Sequence, residues 1–377
     1  MKFTIDSSAL ADAVAWAARS LPARPTAPVL AGLLLEATQS SLTLSGFDLE
    51  VSAQISLKTD VEEPGRVLVS GRLLADITRA LPHIPVTIAT DGPRVNVECG
   101  SSRFTLLTLP VEDYPSLPTM PTVSGLIDGP TFTSAISQVA IAAGRDETLP
   151  ALTGIRLEIE GDTLTLAATD RYRLAVREIP WKPEQSSISA TALILGRTLN
   201  ETAKAMTSAT EVELAFSSRD GAVESLVGFS GAGRSTTTRL IDGEFPKYRS
   251  LFPDDSATSA QIEKASFIDA VKRVSLVAER NTPIRLSFSS EGLTLEAGTG
   301  DEAQASESVD AQVTGEEILI AFNPQYLVDG LNAVVGDYVS MTFVSSSKPA
   351  VLTGMLNADA KPDSSYRYLL MPVRMAG

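Results

Sequence analysis

Three segments of the chain share one pattern, in which a short apolar run is followed ten residues later by a Leu-Thr-Leu run. The matching start points are Gly32 with Leu42, Gly154 with Leu164, and Pro283 with Leu293. Polar residues such as Glu160-Gly161-Asp162 stand between the two runs, which is typical of a β-hairpin turn. Self-similarity of this kind marks a repeat architecture, so the 377-residue chain is predicted to contain three copies of one unit.

Each unit also contains two candidate helices. Apolar residues recur at helical spacing before each hairpin and again after it, for example at Leu10, Val14 and Ala17. The predicted helices are 7–24, 71–82, 131–145, 196–207, 264–280 and 324–335. The predicted capping hydroxyls of the first helix in each unit are Ser7 or Ser8, Thr133 or Ser134, and Ser266. Two helices and several antiparallel strands per unit predict an α+β fold of three similar domains.

Boundaries between the units are indicated by aromatic-proline steps at Tyr114-Pro115 and Phe245-Pro246, each followed by a polar linker. The predicted domains are 1–120, 121–254 and 255–377. Because the linkers are short, neighbouring domains are expected to pack edge to edge and not to behave as independent beads.

Few side chains suited to catalysis are present. The chain has one histidine, His83, and one cysteine, Cys99. His83 lies between Pro82 and Pro85, which indicates a loop, and Cys99 ends an alternating run that indicates a packed strand. Phosphate-loop, dinucleotide-binding, zinc-protease and Cys-x-x-Cys motifs do not occur in the sequence. The residues give no positive signal for an enzyme, a cofactor or a metal, and we expect none of the three, while catalysis by carboxylates alone or by a cofactor stays open.

Composition predicts a globular, cytoplasmic protein. Hydrophobic residues make up 44% of the chain and charged residues 20%. No apolar run approaches the ~20 residues that a membrane-spanning helix needs. The start, Met1-Lys2-Phe3, is not the basic stretch and apolar run of a secretory leader. A single cysteine fits a reducing compartment.

The net charge of −15 argues against DNA binding, because DNA-binding surfaces are basic. The charge is unevenly divided, however. The six predicted helices sum to +5, so the remaining residues sum to −20. This division predicts a mildly basic helical surface, suited to loose phosphate contact without base readout. A β-rich adaptor that binds peptides and not DNA stays open, because the total charge is acidic. The charge division itself has an alternative explanation, since Lys and Arg also favour helices in general.

Four motifs, in order along the whole chain, resemble the bacterial DNA polymerase III β subunit, the sliding clamp family. They are Ala18-Arg19-Ser20-Leu21-Pro22-Ala23-Arg24-Pro25-Thr26, Ala168-Thr169-Asp170-Arg171-Tyr172-Arg173-Leu174-Ala175, Leu240-Ile241-Asp242-Gly243-Glu244-Phe245-Pro246-Lys247-Tyr248 and Tyr368-Leu369-Leu370-Met371-Pro372-Val373-Arg374-Met375. The resemblance implies a head-to-tail homodimer whose six domains close a ring, with helices lining the hole. It also implies a non-catalytic protein that encircles double-stranded DNA without sequence preference. Such a clamp tethers the replicative DNA polymerase, the clamp loader, other polymerases and repair proteins through a short linear motif.

The resemblance further implies a pocket for that motif between the second and third domains. Its deeper part corresponds to Leu152, Thr169, Arg171, Tyr172, Arg173, Leu174, Pro246, Leu251, Leu369 and Met371. Its shallower part corresponds to Asn323, Tyr326, Pro349, Pro372, Val373 and Arg374. Apolar walls would accept Leu and Phe anchors, and a few polar groups would fix the peptide direction. Many family members have Gly-His where this chain has Arg171-Tyr172, which adds bulk and a cation.

Two further surfaces follow from the resemblance. The DNA-contacting residues correspond to Arg24, Arg72, Arg79, Arg145, Arg197, Lys204, Arg273 and Arg280. The dimer interface corresponds to Phe104 and Leu106 of one copy against Leu276 and Val277 of the other.

Overall fold

The computed structural model describes residues 1–219, 222–253, 255–278, 282–298 and 303–374. Within these ranges the three repeats are visible as three runs of nine β-strands. The first run is β1 (Lys2–Ile5), β2 (Gly32–Ala37), β3 (Ser41–Phe47), β4 (Val51–Lys58), β5 (Asp60–Glu63), β6 (Gly65–Ser70), β7 (Val86–Asp91), β8 (Arg94–Cys99) and β9 (Ser102–Leu109). The second run is β10 (Val123–Asp128), β11 (Gly154–Glu160), β12 (Thr163–Thr169), β13 (Arg173–Pro180), β14 (Lys182–Pro183), β15 (Ser189–Leu195), β16 (Glu211–Arg219), β17 (Ala222–Gly231) and β18 (Arg234–Arg239). The third run is β19 (Thr258–Glu263), β20 (Ile284–Ser289), β21 (Gly292–Ala297), β22 (Ala305–Val309), β23 (Ala311–Gly315), β24 (Ile318–Phe322), β25 (Tyr338–Phe343), β26 (Ala350–Met355) and β27 (Tyr366–Leu370).

Two long helices accompany each run, and they confirm the predicted α+β class. In chain order the helices are α1 (Ser7–Ala17), α2 (Gly71–Ala80), α3 (Gly129–Ala140), α4 (Pro150–Thr153), α5 (Gly196–Ala205), α6 (Lys264–Val274) and α7 (Pro324–Ala333). The single turn α4 is the one addition to the predicted set within the described residues.

Helices α1, α3 and α6 end earlier than predicted, and α6 is followed at once by the 3-10 turn Ser275–Val277. After Ala17 the chain tightens into a 3-10 turn and soon reaches Pro22, which has no N–H with which to continue a helix. Beyond Ala140 the backbone N–H groups bond back three residues instead of four, which closes the helix. Arg24 and Arg145 therefore lie outside the helices that were predicted to contain them.

The shorter helices reduce the predicted charge division. Basic residues within the observed helices are Arg72, Arg79, Arg197, Lys204, Lys264, Lys272 and Arg273. Acidic residues within them are Asp12, Asp76, Glu201, Asp269 and Asp329. Seven positive and five negative charges give a net +2, so the predicted +5 was too high although its sign is correct.

Carboxylates cap the first helix of each repeat, in place of the predicted hydroxyls. Asp6, Asp128 and Glu263 accept backbone N–H groups of the first helical turn at 2.9 to 3.0 Å. Each of them ends or directly follows the first strand of its repeat. A carboxylate there satisfies free N–H groups and interacts favourably with the positive end of the helix dipole, which explains why it displaces a hydroxyl.

Strands of neighbouring repeats pair by one rule that occurs twice. The fourth strand of the first repeat, β4, pairs antiparallel with the ninth strand of the second, β18. The fourth strand of the second repeat, β13, pairs in the same way with the ninth strand of the third, β27. The fourth strand of the third repeat, β22, has no such partner among the described strands and forms a sheet edge beyond β21. In the first repeat the ninth strand, β9, pairs with β8 along 102–107, and no other described strand pairs with its second edge there.

The chain divides into two compact units, which do not coincide with the three repeats. The first contains Met1–Thr133, Trp181–Ala190 and Glu201–Leu240, and the second contains Ser134–Pro180, Thr191–Asn200 and the chain from Ile241 onward. Helices α1 and α2 bury apolar side chains such as Leu10 and Leu74 in the core of the first unit. Tyr366 and Tyr368 of β27 are fully buried in the second unit. The borders of the three domains at 120 and 254 stay a prediction.

Two adjacent leucines of α2 test which helix face is internal. Leu74 is 1% exposed and Leu73 is 49% exposed. Leu74→Ala should lower the free energy of unfolding by about 2–5 kcal/mol, because it removes buried methyl groups and leaves a cavity. Leu73→Ala is the matched control with the same change of helix propensity, and it should cost less than about 0.5 kcal/mol. Urea unfolding followed by circular dichroism measures both, and equal losses would contradict the assigned face.

Candidate functional site

A cavity of about 590 Å³ opens in the second unit, where the turn between β12 and β13 meets α7 and the segment after α3. Five residues of the predicted peptide pocket line it, namely Leu152, Arg171, Tyr172, Arg173 and Tyr326. The remaining lining residues were not predicted for the pocket, and they are Ala143, Gly144, Arg145, Asp146, Leu149, Asp170, Gln325 and Asp329.

The β12–β13 turn that forms one wall is fixed by side-chain hydrogen bonds. Asp170 Oδ1 accepts the N–H groups of Tyr172 and Arg173, both at 3.0 Å. The Thr169 hydroxyl donates to the Arg173 carbonyl oxygen at 2.7 Å and accepts the Arg171 N–H at 3.2 Å. These bonds hold Arg171 at φ 79°, in the left-handed region. Because Asp and Thr satisfy the backbone locally, the turn needs no glycine at this position.

Arg173 connects the turn to α7. Its Nε donates to Asp170 Oδ2 at 3.0 Å, and its Nη1 donates to Asp329 Oδ2 at 2.5 Å. The guanidinium also lies 4.3 Å from the centroid of the Tyr326 ring. The side chain is nearly buried, so removing either partner would leave a desolvated charge. Arg173 is therefore a structural support of the cavity wall, because two carboxylates already bind its guanidinium.

The apolar surface of the site is formed by aromatic and aliphatic side chains. The rings of Tyr172 and Tyr326 stack with centroids 6.3 Å apart. Beside the turn, Leu174 and Leu369 are buried in one cluster with Phe245. The Tyr172 ring is exposed and the Tyr326 ring is half-buried, and such rings next to a packed apolar cluster suit the binding of Leu or Phe side chains.

The C-terminal tail is attached to this region by its backbone. The Met371 N–H donates to the Tyr172 carbonyl oxygen at 2.9 Å, and the Val373 N–H donates to the Ala321 carbonyl oxygen at 2.8 Å. Met371 and Val373 are 38% and 37% exposed, which leaves both side chains available to a ligand. Pro372 and Arg374 belong to the same tail, and the structure describes nothing beyond Arg374.

Other predicted pocket residues lie in the second unit without lining the cavity. Pro246 and Leu251 are exposed on the segment that follows β18. Asn323 caps α7, since its side chain accepts two backbone N–H groups of the first turn at 2.9 and 3.2 Å. Pro349 directly precedes β26, whose first residue pairs with Leu370. Asn323 thus has a local structural role that positions Tyr326.

A cluster around Glu158 holds the 3-10 turn Tyr248–Leu251. Glu158 accepts hydrogen bonds from Arg156 Nε at 2.6 Å, from Arg249 Nη2 at 2.6 Å and from the Tyr248 hydroxyl at 2.9 Å. Burial acting alone would raise the pKa of Glu158, but these three donors together lower that pKa below its ordinary value. Burial and the neighbouring Glu158 raise the pKa of Tyr248, which keeps its hydroxyl protonated as a donor. Sequence reasoning missed this cluster because Tyr248 and Arg249 are about 90 residues from Glu158 along the chain.

Two predicted DNA-contacting residues are not on helices. Arg24 is exposed in the loop after α1, and Arg72 of α2 donates from Nη2 to the carbonyl oxygen of Ala23 at 3.0 Å, which attaches that loop to α2. Arg145 lines the cavity in the second unit. This placement gives Arg145 a second candidate role, and its contact with DNA stays a prediction.

The other predicted DNA-contacting residues that the structure describes lie on α2, α5 and α6, and several have a carboxylate beside them. Ion pairs within 4 Å join Arg79 to Asp76, Lys204 to Glu201, and Arg273 to Glu307. Arg273 is held most firmly, because both of its donors bind Glu307, at 2.6 and 3.1 Å. Arg197 is exposed on α5. Arg280 lies outside the described residues.

The predicted dimer interface is corrected at one position. Leu106 is 2% exposed, because β9 turns this side chain into the core of the first unit. It is not available to a partner subunit, contrary to the prediction. Phe104 is 37% exposed on the same strand and Leu107 is 71% exposed. Leu276 is 84% exposed just after α6, and Val277 is half-buried.

The scarce catalytic side chains do not assemble into a site. His83 Nδ1 lies 3.2 Å from the Ser8 hydroxyl in an exposed position, and Cys99 is a buried free thiol. Across the described ranges, His, Cys, Asp and Glu side chains form no group of three or more that could hold a metal ion. None of the described helices has the length and hydropathy to cross a membrane.

Comparison with known proteins gives consistent matches over the whole chain. Family models of the DNA polymerase III beta subunit match in order: the N-terminal domain over residues 1–118, the central domain over 126–247 and the C-terminal domain over 249–374. The beta sliding clamp of Streptomyces coelicolor is 61% identical over 377 residues, which covers 100% of both chains. The beta sliding clamp homolog GriR of Streptomyces muensis is 43% identical over 374 residues, 99% of each chain.

Solved structures agree with these relatives. The DNA polymerase sliding clamp from Bacillus subtilis superposes with a TM-score of 0.91 at 26% identity, covering 100% of both chains. A DnaN sliding clamp from Pseudomonas aeruginosa, bound to griselimycin, superposes with a TM-score of 0.90 at 27% identity and the same coverage.

The charge of Glu158 should make a pH-dependent contribution to stability. Because its pKa is lowered in the folded state, this contribution is present above the ordinary value of 4.5 and is lost as pH falls through the folded-state pKa. Glu158→Gln should therefore cost about 1.5–3 kcal/mol at pH 7, where it weakens hydrogen bonds to a charged acceptor. The two proteins should converge in acid, where wild-type Glu158 is itself protonated. Thermal melts from pH 7 down through the folded-state pKa of Glu158 measure this, with the exposed Glu160→Gln of the same strand as control. A difference that stays constant with pH would show that the charge is not the cause.

Proposed function

The chain belongs to the DNA polymerase III beta subunit family, the beta sliding clamps, and we propose that two copies of it close head to tail into a ring around duplex DNA. Members of this family are processivity factors without catalytic activity of their own, so the chain is not an enzyme. The ring would keep the replicative polymerase on its template by topology, so it needs no tight or sequence-specific DNA site.

The observation that supports the ring most directly is the pairing rule between repeats. Each junction joins the fourth strand of one repeat to the ninth strand of the next. Within one chain two such junctions form, and among the described strands β22 and β9 are left without a partner of this kind. Head-to-tail pairing of β22 with β9 of a second copy would complete the rule, and the reciprocal contact would close the ring. Phe104 on β9 and Leu276 after α6, which packs on β22, would add apolar contact at this junction.

Weak contact with DNA is supported by the charges of the helices. Their net charge is +2, and several basic side chains already have a carboxylate partner. Such residues would attract phosphates without binding them firmly, and the surrounding negative charge would keep DNA off other surfaces. Because the partner is chromosomal DNA, we infer a cytoplasmic location.

The cavity in the second unit would bind the short linear motif of partner proteins. Tyr172 and Tyr326 would contact Leu or Phe anchors, and the exposed tail residues Met371 and Val373 would extend the apolar surface. The replicative polymerase, the clamp loader, other polymerases and repair proteins would then compete for one site on each copy. A single shared site makes their exchange a matter of local concentration and affinity.

Two exposed leucines test the dimer. Leu276→Lys should convert the dimer to a monomer at micromolar concentration, because it places a charge in the proposed apolar contact. Leu356→Lys is the matched control, since Leu356 is 71% exposed in the same unit and lies outside the proposed interface. Sedimentation velocity distinguishes the species. A wild-type chain that is monomeric under these conditions would exclude the ring.

Topological binding is tested by the shape of the DNA. After loading by the clamp loader and ATP, the wild-type protein should stay on nicked circular DNA during gel filtration and should leave once the circle is cut. The Leu276→Lys variant should be lost from both, whereas Leu356→Lys should behave as wild type. Equal retention on circular and linear DNA would point to ordinary DNA binding and would overturn the sliding mechanism.

A further inference from the structure

The two internal junctions between repeats each place a side-chain donor at the C-terminal end of a helix. In the second unit, Gln138 Nε2 of α3 donates to the carbonyl oxygen of Ala333, the last residue of α7, at 2.7 Å. In the first unit, Arg234 Nη1 of β18 donates to the carbonyl oxygen of Ala205, the last residue of α5, at 2.5 Å. Because the last carbonyl groups of a helix have no partner within it, such a donor satisfies a backbone acceptor.

The equivalent end of α2 has no such donor in a single copy. Helices α2, α5 and α7 are the second long helices of the three repeats, and Ala80 is the last residue of α2. Ala80 is exposed, whereas Ala205 is buried and Ala333 is half-buried. In the described part of the chain, the Ala80 carbonyl oxygen accepts no hydrogen bond from another element.

Arg273 occupies in the third repeat the position that Gln138 has in the second. The carboxylates Asp128 and Glu263 cap the first helix of these two repeats, and each side chain lies ten residues beyond its cap. At the junction of the second and third repeats, the donor thus comes from the first helix of the preceding repeat. By the same rule, Arg273 of α6 would be the donor at the junction that follows the third repeat.

Sheet register indicates what lies opposite Glu307, the ion-pair partner of Arg273. Ile55 and Arg177, on the fourth strands of the first and second repeats, each pair with the last leucine of a Leu-Thr-Leu run. Glu307 on β22 does the same in the third repeat. At the internal junctions, Ile55 lies opposite Arg234 and Arg177 lies opposite Tyr366.

The register also identifies the residue of β9 that corresponds to Arg234 and Tyr366. Three rows of paired residues cross the last three strands of the repeats, each beginning opposite the residue three positions before the helix cap. The rows are Ile88-Val97-Phe104, Leu214-Phe229-Thr236 and Met341-Leu352-Tyr368. Arg234 and Tyr366 stand two residues before the ends of their rows, and Ser102 stands two before Phe104. Ser102 of one copy is therefore expected opposite Glu307 of the other.

A serine at that position leaves the helix end to Arg273. The Ser102 side chain is too short to reach a helix end in the way that Arg234 does. Glu307 holds Arg273 through Nε and Nη2, at 3.1 and 2.6 Å, and Nη1 takes part in neither bond. The ion pair thus fixes the guanidinium beside β22 while Nη1 keeps its hydrogen-bond donors.

We propose that Nη1 of Arg273 donates to the carbonyl oxygen of the partner subunit's Ala80 and so caps α2 across each intermolecular junction of the ring. The inference rests on the proposed ring, and it gives Arg273 an interface role in place of the predicted contact with DNA. A guanidinium at this position satisfies a free carbonyl group and interacts favourably with the negative end of the α2 dipole. Each ring contains two such contacts, because each copy supplies one Arg273 and one Ala80.

Dimer dissociation measures the contact, and Met and Gln are matched replacements of similar shape. In a dilution series followed by sedimentation velocity, Arg273→Met should raise the dissociation constant of the full-length dimer about 100-fold. A hydrogen bond from a charged donor contributes about tenfold per junction, and dissociation breaks both junctions. Arg273→Gln copies the donor of the second repeat and should raise the constant only about tenfold, because an uncharged bond is about half as strong.

Two controls separate the contact from other effects. Lys272→Met removes a neighbouring exposed charge of α6 and should leave the dissociation constant within about threefold of wild type. Arg273→Met also leaves Glu307 without its ion-pair partner, so the same substitution is made in a Glu307→Gln background. The loss relative to that background should remain at least about tenfold, because the missing bond is to Ala80 and not to Glu307.

A wild-type dissociation constant for Arg273→Met would overturn the contact while the ring itself would stand. Equal losses for Met and Gln, or a loss that disappears in the Glu307→Gln background, would also reject it, because the lost ion pair would then be the cause. A wild-type chain that is monomeric throughout the series would instead overturn the ring, and this inference with it.

Discussion

The unpaired edge of a β-strand is the constraint on which the proposed assembly depends. Backbone N–H and C=O groups along such an edge must find water or another strand, and a regular edge is a template for pairing. This chain uses that property twice internally, at β4 with β18 and at β13 with β27. The same two strand types remain open at β22 and β9. β22 is the fourth strand of its repeat and β9 is the ninth strand of its own. A second copy can therefore pair with these two edges in the geometry of the two internal junctions.

The peptide site is a consequence of one of these junctions. Pairing of β13 with β27 brings Arg173 opposite Leu370 and Leu174 opposite Leu369, so the C-terminal tail continues past the β12–β13 turn. Arg173 then joins that turn to α7 through Asp329. The cavity thus lies where elements distant in sequence are joined by buried hydrogen bonds. A rigid support of this kind lowers the entropy cost of binding a flexible peptide, because the wall does not have to become ordered.

The sequence predicted local structure well, but it did not predict the contacts between residues that are far apart along the chain. The three hairpins begin where the Leu-Thr-Leu offsets placed them, because strand alternation and turn chemistry are local properties. The site residues Asp170, Gln325 and Asp329 were missed although Arg173 was named, because their roles depend on β13 meeting α7. Leu106 was misassigned because it shares a strand face with Phe104, and alternation does not reveal that this face is 37% exposed at Phe104 but only 2% exposed at Leu106. The ends of α1 and α3 were misplaced because a 3-10 turn preserves apolar spacing for one further turn.

Comparison of the repeats suggests how a binding site is added to a structural module. Asp48 and Asp170 build the same turn and place the following residue in the same left-handed conformation. The turn is therefore required by the hairpin and not by the ligand. A side chain at that position is exposed in both repeats, so it can change from Leu49 to Arg171 without altering the backbone. Its surroundings differ between the two repeats, and Arg171 lines a cavity with stacked rings. The backbone geometry and the side-chain chemistry are then separable at this position, because the Asp side chain fixes the turn whichever residue follows it.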